Sequence, residues 1–496
     1  MNTHSNNSSS IEVYNFGPIS EAKVDLRPLT VLVGPNNTGK SYFATVLYAL
    51  QRAIKYTFND INPTTHGVSV LEFDILMRDT AERLHSQLTQ KDPKQLEFGD
   101  NFHEYLSCVY NQKQSTLIHE LEQCFGVVDV NSLSQKNQNN PTKIKIKIKP
   151  SEKYGKNLEI LSIELSTDPH YNFTIPPFFP LPKDHSKVQT LIRLANNLKK
   201  RNPETPRSSE IDLKYEIYEY FQTLFDSLIL PFERTFIPFA FYLPASRTTL
   251  MEIYNNFRSP NIHISTKTRT SVHPTMDETR ADFQRYLLEI DPNQPRNRDR
   301  NGDLSKGIEK EILRGSINVK LDEKNNKPSF FYQSIGSKEE LPLANTSSMV
   351  CELAPIVLFL RYKIKPGRLL IIEEPESHLH PDLQVKLTNQ LAILVNAGIS
   401  VVVTTHSRWL VEALANIVYR SEIPKDSSEK VTNGKINLKH DQVGVWLFQD
   451  NEERHGTVVE EIKLDRSIYG QYPTNFDRVA IDLHNEWAGI LERKNF

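Results

Sequence analysis

The chain has 496 residues, with 59 Lys and Arg against 61 Asp and Glu and a formal net charge of −2 at pH 7. That length exceeds one ordinary hydrophobic core, and the near-neutral charge excludes a protein that binds nucleic acid through its whole surface, leaving room only for a local basic patch. At 38% hydrophobic and 24% charged residues the mix is that of a globular chain, with three scattered cysteines, Cys108, Cys124 and Cys351, that fit neither metal nor disulfide spacing.

Residues 1–10 are polar and lack the apolar core of a secretory signal, so they read as a disordered lead-in. Ile11–Val13, Ala22–Leu26 and Leu29–Val33 predict three short strands. Phe43, Val46, Leu47 and Leu50 then put apolar side chains on one face of a helix, because residues three and four apart share a face. These elements form a first section, 11–54, and a long insertion, 55–238, follows. It carries a helical pattern over Leu71–Leu88, an Asn/Gln-rich break at Gln135–Pro141 and strict Lys/Ile alternation over Lys143–Lys149. Period-two alternation there and in Leu158–Leu165 predicts half-buried strands, antiparallel neighbours of each other. The lysine row has two readings: a face that contacts phosphates, or the solvated side of an edge strand, where lysine also blocks aggregation.

A polar segment, Lys199–Ser209, precedes an amphipathic helix over Ile211–Leu230. The next section, 239–420, opens with the apolar strand Phe236–Leu243 running into Pro244-Ala245-Ser246-Arg247. Asp291–Asp303, rich in Pro, Asn, Asp and Arg, predicts a long loop. Ile317–Leu321 with Phe330–Gln333 predicts a hairpin, and Met349, Leu353, Ile356 and Leu360 predict a helix. Leu369–Ile372 is a buried strand after the Pro366-Gly367 turn, a helix starts at Pro381, and Ile399–Thr404 is a second buried strand. Strands that alternate with helices argue for a parallel sheet covered on both faces. The final section, 421–496, is a small α/β extension with strands Val443–Phe448 and Val458–Leu464 and a helix over Asp477–Leu491. No run of about eighteen apolar residues appears, so no membrane span is expected, and a cytoplasmic location is the expectation.

Three motifs carry chemistry. Gly34-Pro35-Asn36-Asn37-Thr38-Gly39-Lys40-Ser41 is a glycine, four residues, then Gly-Lys-Ser, between an apolar strand and a helix. That is the pattern of a phosphate-binding loop. Backbone N–H groups at a helix start surround phosphate oxygens and the helix dipole favours their charge. Lys40 would reach the β- and γ-phosphates of ATP and the Ser41 hydroxyl would ligate Mg²⁺. Asn37 stands where a left-handed residue is often needed. The second motif, Ile372-Glu373-Glu374-Pro375-Glu376, puts carboxylates at the end of a buried strand, which is costly unless they serve a cation or a proton transfer. Glu373 is the candidate Mg²⁺ carboxylate and Glu374 the candidate base for the attacking water. In the third, Thr404-Thr405-His406-Ser407, His406 is placed to hydrogen-bond a γ-phosphate, and Ser407 to cap the helix that follows. His378 and His380 beside Glu376 invite a metal reading, but no further ligand lies nearby in the sequence.

The order of these motifs, with His378-Leu379-His380-Pro381 after the acidic strand and Asn15-Phe16-Gly17-Pro18-Ile19 near the start, resembles the ABC-type ATPases of the SMC, RecF and OLD (overcoming lysogenisation defect) kind. The resemblance covers about 11–50 and 340–420. It implies an α/β P-loop NTPase fold with an ABC-type ATPase head, a mixed sheet with an antiparallel β subdomain, and a helical insertion. It makes Glu373 the Walker B carboxylate, Glu374 the catalytic base, His380-Pro381 part of the D-loop and His406 the switch histidine. The signature motif of the group falls at Asn345-Thr346-Ser347-Ser348 without its glycines. Ser347 and Ser348 are then either γ-phosphate contacts across a dimer or simple helix caps. Arg247 is a candidate phosphate or intersubunit contact. The resemblance also implies that ATP clamps two copies together, as a homodimer or higher oligomer. OLD nucleases carry a Toprim domain with clustered acidic ligands after the ATPase, and Asp441–Phe496 shows no such cluster. The chain is therefore similar to ATPase subunits of antiphage defence systems such as Septu and PARIS, which work with a separate nuclease. The competing expectations are a DNA-binding repair ATPase of the RecF or SMC kind and a transporter's nucleotide-binding subunit.

Overall fold

The computed structural model describes residues 9–57, 70–88, 95–97, 99–102, 104–105, 114–135, 141–148, 158–165, 170–173, 178–180, 189–190, 192–193, 239–257, 276–293, 302–322, 326–422, 436–464 and 485. The expected helices at Ile211–Leu230 and Asp477–Leu491 fall outside that set, apart from residue 485.

Among the described residues the helices, in chain order, are α1 (Lys40–Thr57), α2 (Val70–Leu88), α3 (Gln114–Phe125), α4 (Arg247–Phe257), α5 (Glu278–Leu288), α6 (Gly302–Ile308), α7 (Ser348–Tyr362), α8 (Pro381–Asn396) and α9 (Arg408–Glu422). The strands are β1 (Ser9–Phe16), β2 (Ile19–Leu26), β3 (Leu29–Val33), β4 (Gln95–Glu97), β5 (Thr142–Ile148), β6 (Leu158–Leu165), β7 (His170–Phe173), β8 (Phe178–Pro180), β9 (Ala240–Leu243), β10 (Gly315–Leu321), β11 (Pro328–Ser334), β12 (Leu341–Pro342), β13 (Leu369–Glu373), β14 (Ser400–Thr405), β15 (Val443–Asn451) and β16 (Gly456–Glu461). The main sheet has eleven strands in the order β7-β6-β5-β1-β2-β16-β15-β3-β14-β13-β9. Its β15-β3-β14-β13-β9 half is parallel throughout. Its β7-β6-β5-β1-β2 half is antiparallel throughout.

The parallel half has the period-two logic of a sheet buried on both faces. Leu32, Tyr242, Ile371, Val402 and Trp446 point into one core, shared with Phe43, Val46, Leu47 and Leu50 of α1 and with residues of α2 and α3. Their neighbours Val31, Leu243, Ile372, Val403 and Val445 point into the other, against α7, α8 and α9. One face of the antiparallel half is apolar: Ile11, Val13, Ala22, Val24, Ile144 and Ile146 join the first core.

On the other face lies the lysine row of β5, and here the edge-strand reading is corrected. β5 is hydrogen-bonded on both sides, to β1 and to β6, so its alternation follows from burying isoleucines on one face. Lys147 donates to the Glu12 carboxylate on β1 at 2.6 Å, a neutralised pair in place of a phosphate-contacting cation. β15 and β16 also lie within the main sheet, β15 against β3 and β16 against β2, and join its two halves. Smaller differences concern ends. The strand expected from Phe236 is described over Ala240–Leu243, and the loop expected to Asp303 gives way to α6 at Gly302. The expected hairpin β10–β11 forms, with Ile317 opposite Tyr332 and β12 as a short third strand. Among the described residues no helix is long and apolar enough to cross a membrane.

Candidate nucleotide site

β3, β14 and β13 lie side by side, with Val33 level with Thr405 and Thr404 level with Glu373. Three loops therefore leave the sheet together at the carboxyl ends of parallel strands, the place where open α/β sheets bind ligands.

The loop after β3 is shaped by its glycines and its lysine. Gly34 has φ 150° and Gly39 φ 88°, and Asn37 is left-handed at φ 63°, a conformation asparagine tolerates better than most residues. A β-carbon at Gly39 would stand 2.7 Å from Ile19 Cγ1, so the loop packs directly on the β1–β2 turn. Thr38 Oγ1 donates to Pro35 O at 2.9 Å. Lys40 Nζ donates to Gly34 O at 2.9 Å and to Pro35 O at 2.6 Å, folding back across its own loop. Pro35, Asn36, Asn37 and Ser41 are exposed, whereas Thr38, Gly39 and Lys40 are buried. The first turn of α1 carries no acidic residue, which leaves its positive end free for an anion. Burial pulls the Lys40 pKa down to about 8, against the opposing pull of Glu374 and Glu376.

At the end of β13 the two glutamates part. Glu373 is buried, and its Oε2 accepts from Ala245 N at 2.9 Å. Tyr242 hydrogen-bonds the same carboxylate and lies 3.2 Å from Thr45 Oγ1 of α1. Glu374 takes a left-handed φ of 42°, a strained conformation for a residue with a side chain. Its N–H donates to Thr404 O at 2.9 Å. This turns the Glu374 side chain out to a half-exposed position, where its Oε1 lies 3.4 Å from His406 Nε2. The hydrogen bond from His406, reinforced by the charge of Lys40, holds the Glu374 carboxyl below its ordinary pKa. A carboxylate kept ionised, partly open to water and next to a histidine can accept a proton from an attacking water.

The loop after β14 is organised by Glu376. Its Oε1 accepts from Thr405 Oγ1 at 2.6 Å and from His406 N at 2.8 Å, so this buried carboxylate sets the main chain from which His406 projects. Burial raises its pKa. Ser407 Oγ accepts from Leu410 N at 3.1 Å and caps α9, as the sequence predicts, while donating to Gln384 Oε1 at 2.5 Å.

The structure thus gathers Lys40, Glu374, Glu376 and His406 in one cluster. Ser347 and Ser348 stand exposed at the start of α7, where Ser347 Oγ accepts from Val350 N at 3.4 Å as the N-cap. Exposed His380 pairs with Asp382 at 2.7 Å. Arg247 requires a correction. It has no exposed surface, and its guanidinium donates to Glu352 O, Pro244 O, Glu373 O and Glu374 O, so it meets neither solvent nor a second subunit. Sequence reasoning missed Tyr242 and the organising role of Glu376. The signal for the latter was a third carboxylate after Pro375 facing a Thr-Thr strand end. Glu373 and the exposed Ser41 hydroxyl supply only oxygen, the donor type a hard cation such as Mg²⁺ takes alongside phosphate oxygens, so the residues present fit that ion.

Several solved structures are similar to the chain at low identity. An Smc head bound to the C-winged helix domain of ScpA is 9% identical with a TM-score of 0.42, covering 93% of this chain and 99% of that one. An SMC head domain from Thermotoga maritima is 10% identical with a TM-score of 0.37, covering 92% and 98%. An Smc head domain with an extended coiled coil, bound to the C-terminal domain of ScpA derived from Pyrococcus furiosus, is 10% identical with a TM-score of 0.39, covering 93% and 98%. No curated protein matches the chain. The family model described as "AAA ATPase domain" matches residues 9–411, a span that contains the phosphate loop, the glutamate strand and His406, and the chain belongs to that family.

Proposed function

We propose that the protein binds ATP with Mg²⁺ and hydrolyses it at a site completed by a second copy, and that the bound γ-phosphate controls a separate effector protein. The observation that carries this reading is the convergence of Lys40, Glu374 and His406 on neighbouring ends of parallel strands. Lys40 exchanges its loop carbonyls for the β- and γ-phosphates, and the N–H groups of the loop hold the same oxygens. Ser41 and Glu373 would hold the magnesium ion, which when bound neutralises phosphate charge. Glu374 orients a water in line with the γ-phosphorus and takes its proton as the bond to ADP breaks. His406 donates to the γ-phosphate and ties its presence to the position of Glu374. Ser347 and Ser348, at the positive end of α7, face the γ-phosphate held by the other copy.

The order of motifs supports a regulatory ATPase of an antiphage system that acts with a separate nuclease. Phosphate release by wild type, Lys40→Ala and Glu374→Gln, with each protein's mass in solution measured with and without ATP, tests the reading. Turnover in wild type alone, with Glu374→Gln held in a larger ATP-bound assembly, supports it. Normal turnover by Glu374→Gln overturns the catalytic assignment, and DNA cleavage by the purified chain with metal overturns the separate effector.

A further inference from the structure

We infer that Arg247 is a positioning residue for hydrolysis, a buried latch that ties the backbone of the two site glutamates to the helix presenting Ser347 and Ser348. The inference rests on the ATPase reading above and adds a residue that contacts no nucleotide.

Four carbonyl oxygens from three separate segments converge on one guanidinium. Nε donates to Glu352 O at 2.9 Å, Nη1 to Pro244 O at 2.9 Å and to Glu373 O at 2.6 Å, and Nη2 to Glu374 O at 3.2 Å. The charge is matched by Glu352, whose Oε2 lies 3.1 Å from Nε, both side chains being essentially without exposed surface. Glu352 is itself anchored, its Oε1 accepting from Thr248 N at 3.0 Å. A fully buried arginine is an expensive group to keep, and a core of this size does not need one to hold a strand end beside a helix.

What it holds explains its presence. Glu374 is a non-glycine residue at φ 42°. Its N–H is fixed by Thr404 O and its carbonyl by Arg247, so the two peptide units flanking its α-carbon are held from opposite sides. The direction of the carboxylate toward His406 follows from that pair of restraints. Glu352 lies one helical turn from Ser348 on α7, so the same guanidinium meets the helix whose first turn faces the other copy. A displacement of α7 and a displacement of Glu374 are thereby the same event. Only a planar fork with five donors satisfies these acceptors; lysine, a single ammonium on a flexible stem, reaches some of them and leaves the others bare.

The test uses the full chain as wild type, Arg247→Lys, Glu352→Gln and Lys40→Ala. Binding of a fluorescent ATP analogue, steady-state phosphate release and thermal unfolding are followed at a temperature where each variant is folded. The expected result is a fall in kcat of roughly 10- to 100-fold for Arg247→Lys and Glu352→Gln with the analogue's Kd within about threefold of wild type, because misplacing a base costs rate while phosphate-loop binding is untouched. Lys40→Ala loses the analogue and marks what a binding defect looks like. Folded Arg247→Lys and Glu352→Gln proteins with kcat unchanged from wild type overturn the latch, as does a loss of analogue binding equal to the loss of kcat. A wild type that binds the analogue without hydrolysing ATP overturns the ATPase reading itself, and the latch with it.

Discussion

Gly34 rests directly on the main chain of Phe448: a β-carbon at Gly34 would stand 2.2 Å from the Phe448 carbonyl oxygen. The first glycine of the phosphate loop is thus required by a strand more than 400 residues later in the chain, as well as by its own φ of 150°. Gly34→Ala is expected to destabilise the protein by about 1–3 kcal/mol, the usual cost of overpacking, and to abolish nucleotide binding. Asn37→Gly, at a left-handed position on the exposed tip of the same loop, is expected to change stability by less than about 0.5 kcal/mol. Denaturant midpoints for the two variants check the contrast, and a Gly34→Ala protein as stable as wild type would remove the Phe448 contact from the account.

On the proposed reading, Lys40 makes nucleotide binding weaken at alkaline pH. Burial pulls its pKa down to about 8, and phosphate oxygens favour its charged form. Above that value the free protein must take up a proton to bind, so affinity is expected to fall by up to about tenfold per pH unit. Below it the lysine is already charged and affinity is flat. Titration calorimetry at pH 9 in buffers of different ionisation enthalpy should report uptake of one proton per ATP, absent at pH 7. Arg in place of Lys40 should remove the pH dependence, because arginine stays charged throughout.

On the proposed reading, the pairing of His406 with Glu374 is expected to set the acid limit of turnover. The histidine's hydrogen bond is the main cause that holds the Glu374 carboxyl below its ordinary value. A base works only when ionised, so a lowered pKa extends activity to lower pH. His406→Ala is expected to reduce kcat by roughly 10²–10⁴-fold, the range for loss of an acid–base partner, and to move the acid limb of the remaining rate profile to higher pH. A profile whose acid limb stays put would separate the two residues.

A second buried charge cluster ties α1 to α3 and α5. Arg52 of α1 donates to the Glu120 carboxylate of α3 at 2.6 Å, pairs with Asp282 of α5, and lies 3.3 Å from Glu278. Tyr48 donates to Asp282 at 2.6 Å. Arg52→Met would leave Glu120, nearly without exposed surface, short of its cation, while Asp282 keeps its pair with Arg285, and is expected to cost about 3–5 kcal/mol. Replacing Arg83, whose pair with Asp79 on α2 is half-exposed, should cost less than about 1 kcal/mol. Thermal unfolding of both variants measures the difference.

The parts of the site legible in the sequence are those in which an apolar strand runs straight into its chemistry. Leu29–Gly34, Leu369–Glu374 and Ser400–His406 each state strand, strand end and functional group within about seven residues, and the parallel pairing of β3, β14 and β13 brings those ends level. What could not be read depends on contacts distant in sequence. Arg247 after a strand end reads as a phosphate or intersubunit contact; its buried partner Glu352 lies 105 residues on. The Lys/Ile alternation of β5 states which face is buried but not how many neighbours the strand has, since β1 lies far upstream. The placement of β15 beside β3 has no local signature either. α5 did leave a mark, Asp277 accepting from Arg280 N as its N-cap, but a polar stretch with Glu278, Thr279 and Arg280 at its start masks the apolar face that follows.

The position of β15 has a consequence for how the chain is made. β3, spanning Leu29–Val33, is flanked by β14 and β15, which begin at Ser400 and Val443. The strand that carries the phosphate loop therefore leaves the ribosome several hundred residues before either neighbour exists. Closing pairs of such sequence separation is slow, and an unpaired apolar strand invites association with other chains in the interval. Folding of the nucleotide site therefore waits for both neighbours, and a chain cut short before Val443 would leave the edge of β3 open.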